Sequence, residues 1–208
     1  MKSTLSLLSL VFLLVLSGCG SSSGGVTPPS TPDYFDEMNP SLRWSSAKTA
    51  NPLKVFIGLD GATDRSATVL AALGNWTTST SNLVRFEKVA TAGESDIQVQ
   101  FVSTIGSEDG GLGKAEVIFN TFPSNPTVDG TITTASISLK MGLSNSVLVP
   151  VVEHEMGHAL GLVARNIGNV GHSSYSGDVM YGTVTDGSAL STRDSLTLVR
   201  LYGLSRKR

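Results

Sequence analysis

His154-Glu155-Met156-Gly157-His158-Ala159-Leu160-Gly161-Leu162 carries two histidines at positions i and i+4 with a glutamate between them. On a helix that spacing puts both imidazoles on one face, one turn apart, where they can reach the same ion. Glu155 lies about 100° around the helix from each histidine, too far round to be a good third ligand. It can instead reach a water held by the metal. Zinc lowers the pKa of such a water to about 7, so a carboxylate can take its proton near neutrality. Ser146 to Gly161 reads as the helix, with Ser146 as its cap and Pro150 tolerated because it falls in or next to the first turn. With three histidines and seven glutamates in 208 residues, chance supplies His-Glu-x-x-His in roughly one such chain in seven hundred.

A catalytic zinc takes three protein ligands and keeps one position open. No glutamate follows Glu155, and the one histidine downstream is His172. It is the first candidate for the third ligand; Asp178, Asp186 and Asp194 are the fallbacks.

Upstream of the helix the pattern is mixed. Leu53 to Leu59 reads as a strand with Leu53, Val55 and Ile57 on one face. Asp64 can cap a helix whose apolar positions Val69, Leu70, Leu73 and Trp76 fall three or four apart. Val84 to Lys88, Ile97 to Phe101, Ala115 to Asn120 and Thr133 to Leu139 read as four more strands, and Gly106 to Gly113 as a loop. The expected fold is α+β: a twisted, mixed, five-stranded sheet with about three helices in one layered domain.

The N-terminus is of another kind. Lys2 precedes an apolar run, Leu5 to Leu16, too short to span a bilayer comfortably and suited to a signal-peptide core. It ends in Leu16-Ser17-Gly18-Cys19, which resembles the bacterial lipoprotein box. The resemblance implies cleavage before Cys19, the sole cysteine of the chain, followed by its lipidation. Residues 20–32 are rich in Gly, Ser, Thr and Pro and read as a flexible tether. The division expected is a lipoprotein signal peptide over 1–18, a lipidated tether and linker over 19–50, and a catalytic domain over 51–208. The expected location is extracytoplasmic, anchored by lipid to a bacterial membrane. One cysteine forbids an intramolecular disulfide. A net charge of −2 without a basic stripe argues against nucleic acid as a partner.

His154 to Leu162 resembles the active-site helix of the metzincin metallopeptidases, the matrixin branch in particular. In that family a glycine three residues after the second histidine turns the chain, and Gly161 matches. The family's third histidine would fall at position 164, which is Ala. Gly171-His172-Ser173 is similar to its Gly-His-Ser, displaced by the eight residues Val163 to Val170. Asp178-Val179-Met180-Tyr181 resembles the Met-turn, with Met180 eight residues after His172 as in the family. Leu190-Ser191-Thr192-Arg193-Asp194, ending in Leu201-Tyr202-Gly203, resembles its C-terminal helix. Ser191 and Asp194 also form a capping box. Gly111 to Phe119 resembles the edge strand along the cleft, to which substrate adds as another strand.

The resemblance implies a monomeric endopeptidase with one catalytic zinc on His154, His158 and His172, Glu155 as base, Met180 beneath the metal and a peptide or protein as substrate. Calcium has no supporting motif, although Glu108, Asp109 and Asp129 lie in suitable loops. The departures are the insertion, Gly182 where the family has proline, and the absence of a propeptide cysteine. They leave a second reading open: an inactive domain of the same fold that binds partners at the cell surface.

Overall fold

Val55, Val99 and Ile137 mark three neighbouring parallel strands, each fully buried. In the computed structural model the described residues are 12–15, 32–106, 111–120, 130–164 and 171–203. Strands β1 (Phe12–Val15), β2 (Leu42–Trp44), β3 (Leu53–Ile57), β4 (Phe86–Lys88), β5 (Ile97–Val102), β6 (Gly113–Asn120) and β7 (Gly130–Lys140) form one mixed sheet. The path is β1-β6-β7-β5-β3-β4, with β2 added to β7; β6 runs antiparallel to β7 and β1, and the other pairs are parallel. Alternation dictates the buried face: Leu53, Val55 and Ile57 on β3, Ile97, Val99 and Phe101 on β5, Ala115, Val117 and Phe119 on β6.

Helices α3 (Ser66–Ser79) and α4 (Asn145–Ala159) supply the other half of the core, with Val69, Leu73 and Trp76 meeting Leu148, Val152 and Met156. Asp64 serves the start of α3, its Oδ1 accepting from Ser66 N at 2.8 Å. Helix α5 (Thr192–Gly203) begins on the reciprocal box: Ser191 N donates to Asp194 Oδ2 and Asp194 N to Ser191 Oγ. No helix among the described residues is long and apolar enough to cross a membrane.

The fold is α+β, as expected, but larger at its N-terminal side. All five expected strands are present, joined by β1 and β2, and two short helices, α1 (Phe35–Met38) and α2 (Ser46–Thr49), precede β3. The span 19–50 is therefore not a linker to its end. Tyr34, Phe35, Met38, Leu42 and Trp44 all enter the core, because such apolar side chains gain more from burial than a tether would allow them. Strand β6, expected at the edge, carries β1 on its outer side.

Two details of α4 also differ. Its N-cap is Ser144, not Ser146. Pro150 is consequently in the second turn. The hydrogen bond it forgoes would run to the carbonyl of Ser146, an exposed residue that water can serve.

Candidate active site

His154 and His158 project from one face of α4 and are almost wholly buried, at 1 % and 3 % exposure. Their ring centroids are 4.8 Å apart and their Nε2 atoms 3.2 Å apart. Each ring is held from behind. His154 Nδ1 lies 2.7 Å from the carbonyl oxygen of Val179, and His158 Nδ1 lies 2.7 Å from that of Leu162. A carbonyl can only accept, so both Nδ1 atoms carry the hydrogen and both Nε2 lone pairs face the shared space.

His172 completes the group. Its ring centroid stands 5.1 Å from that of His154 and 5.3 Å from that of His158, and one ligand atom from each of the three lies within 4.8 Å of the others. Burial lowers all three pKa values: His154 to about 4, His172 to about 3 with help from His154, and His158 well below its ordinary range. Three neutral imidazoles converging at this spacing suit a divalent cation that favours nitrogen.

The chain between the second and third histidines explains how an insertion leaves this geometry intact. Gly161 turns the chain at φ +106°, and the backbone of Leu42 crosses so close that no side chain fits there. After Val163 and Ala164 the chain departs, and it returns at Gly171 (φ +80°). A Cβ at Gly171 would lie 2.6 Å from Ala164 N and 2.7 Å from Val163 Cα. The described residues on either side of 165–170 therefore lie against each other. His172 follows at once, and Ser173 N donates to Met180 O at 2.8 Å.

Met180 is fully buried beneath the site, in van der Waals range of Gly157, where a Cβ would overlap its sulfur. Its turn is held by two carboxylates. Asp178, with no exposed side-chain surface, accepts from Ser173 Oγ, Ser191 Oγ and Arg193 Nη1. Asp194 Oδ2 accepts from Val179 N at 2.8 Å, and Oδ1 from Met180 N at 3.2 Å and Tyr34 Oη at 2.8 Å. These two fallback ligands are thus committed to the turn, and Asp186 is exposed on a loop. Sequence reasoning found the capping role of Asp194 but not this one. It also missed Tyr34 and Trp44, whose indole Nε1 donates to Ala159 O at the end of α4. The aromatic cluster in an otherwise polar stretch was the available signal.

Glu155 is 5 % exposed and accepts a backbone hydrogen bond from Ala115 on β6. Gly113 makes room for it: a Cβ there would lie 2.6 Å from Glu155 Cγ. Without metal, burial raises its pKa to about 8. A cation at the histidines would favour the carboxylate instead. Gly182 lies against the His172 ring, where a Cβ would stand 3.1 Å from Nδ1. Cys19, Glu108, Asp109 and Asp129 lie outside the described residues.

A helical His-Glu-x-x-His, a third converging imidazole and a buried methionine turn below them agree with one comparison made on sequence. A profile described as Matrixin matches residues 58–203. The chain belongs to the matrixin family. At family level the domain is a zinc metallopeptidase domain. The matrixin match spans every residue of the site just described, and stops short of Tyr34, Leu42 and Trp44, which pack against it. No curated protein matches the chain.

Proposed function

We propose that this matrixin is an active endopeptidase, with zinc on His154, His158 and His172 and Glu155 as its general base. The observation that carries the proposal is the pair of Nδ1–carbonyl hydrogen bonds that turn the Nε2 lone pairs of His154 and His158 toward His172. Bound there, zinc would acidify the attacking water and polarise the scissile carbonyl. The protein's own groups do the rest. Glu155, beside Ala115 at the start of β6, takes a proton from the attacking water and passes it to the leaving amine. Once residues 1–18 are removed, strand β6 would hold an extended peptide by main-chain pairing along the side that β1 takes. Met180 gives the histidines an apolar floor and takes no part in proton transfer.

The test is hydrolysis of a broad quenched-fluorescent peptide pool by the chain from Cys19 onward, with and without a zinc chelator. Cleavage that the chelator abolishes, and that Glu155→Gln abolishes while zinc stays bound, is the expected result. A folded, zinc-loaded protein that cleaves nothing would instead favour a binding module at the cell surface. We also propose that Cys19 is lipidated and anchors the domain outside the cytoplasm; Cys19→Ser should then move the protein from the membrane to the soluble fraction.

A further inference from the structure

We infer that Tyr34, outside the matched matrixin region, is a positioning residue for the metal centre and acts through Asp194. The inference rests on the reading of the three histidines as a zinc site.

The peptide unit joining Val179 to Met180 has its carbonyl on His154 Nδ1 at 2.7 Å and its N–H on Asp194 Oδ1 at 3.2 Å. A peptide unit is planar, so whatever orients its N–H orients its carbonyl, and with it the imidazole of His154. Asp194 Oδ1 also accepts the Tyr34 hydroxyl at 2.8 Å. Its other oxygen is occupied by Val179 N and Ser191 N, both at 2.8 Å. Of these four donors Tyr34 alone is a side chain, and it shares Oδ1 with Met180 N of the turn, so it helps to fix the rotation of the carboxylate.

Tyr34 is itself held. It is 1 % exposed, its backbone N donates to Thr197 Oγ1 at 3.1 Å, and the Arg193 guanidinium lies 5.4 Å from its ring centre. The same segment braces the far end of α4 through Trp44 and the C-terminus of α5 through Arg43, whose Nη1 donates to Leu201 O at 2.8 Å. Phe35, the neighbouring aromatic residue, makes no such bond to Asp194 or the turn; it stacks under Arg200.

Tyr34→Phe keeps the ring and removes only the hydroxyl, and Asp194→Asn keeps the shape of the carboxylate. Zinc affinity is measured by chelator competition on the full chain, and ligand geometry by the visible spectrum of the cobalt-substituted protein. Tyr34→Phe should weaken zinc binding about tenfold, the low end for changes around metal ligands, and shift the cobalt bands. The Tyr34→Phe/Asp194→Asn double variant should bind zinc no more weakly than Asp194→Asn alone, since both act on one path. Unchanged affinity and spectrum in Tyr34→Phe, or additive losses in the double variant, would overturn the role of Tyr34. A wild-type protein that takes up neither metal would overturn the zinc site itself, and the inference with it.

Discussion

The carbonyl of Val179 receives the Nδ1 hydrogen of His154 at 2.7 Å, so the residue before the buried methionine determines which nitrogen of a candidate ligand carries the hydrogen. The carboxylate of Asp194 holds that residue in place. Asp194→Ala would leave the N–H groups of Val179, Met180 and Ser191 and the Tyr34 hydroxyl without their acceptor in a buried place. A single buried donor left unsatisfied costs about 1–3 kcal/mol, so we expect a loss of several kcal/mol in urea unfolding. The substitution should also weaken zinc binding more than Tyr34→Phe does.

Gly157 tests the packing beneath the site. By helix propensity alone Gly157→Ala should stabilise α4 by about 1 kcal/mol. The added methyl would instead collide with Met180 Sδ and approach Trp76 Cζ2 to 3.2 Å. Overpacking of this kind costs about 1–3 kcal/mol. Net destabilisation in thermal unfolding is expected, and Gly157→Ala/Met180→Ala should recover part of it.

Glu155 should leave a signature in the metal-free protein. Its pKa is raised from 4.5 to about 8 in the folded state. Between those values the unfolded chain gives up the proton while the folded one keeps it, so its contribution to stability falls as pH rises. Compared with Glu155→Gln, the metal-free wild type should lose stability steadily from about pH 5 to pH 8 and change little above that. Urea titrations across the range would show it. Zinc should flatten the difference, because the cation holds the carboxylate ionised.

The pinched neck at Ala164 and Gly171 makes a prediction about the insertion. Deleting residues 165–170, so that Ala164 joins Gly171, should leave zinc affinity within about threefold, since the two ends already touch. Gly171→Ala, which forces a side chain into that contact at φ +80°, should be the more damaging change by thermal unfolding and by chelator competition.

What the sequence made legible was periodic or local. His154 and His158 are one turn apart on any helix, and the alternation in Ile97 to Phe101 has one buried face in any sheet. The Ser191–Asp194 box could be read for the same reason. The second task of Asp194 could not. Its contact with Tyr34 joins residues 160 positions apart, and nothing in the local pattern of either predicts it. Tyr34, Leu42 and Trp44 follow a polar stretch of sequence and have no repeating period, so their burial depends on surfaces made by later parts of the chain. Pro150 was misplaced because the cap lies two residues earlier than the serine that looked most suitable.

Closure of the neck between Val163–Ala164 and Gly171 has a consequence for how such a protein can change. Sequence placed between those points can lengthen, shorten or be exchanged while His172 stays where Ser173 and Met180 pin it. The join between Ala164 and Gly171 is thus a point open to variation by selection or by design. A recognition loop grafted there would alter what reaches the histidines without altering how they are held.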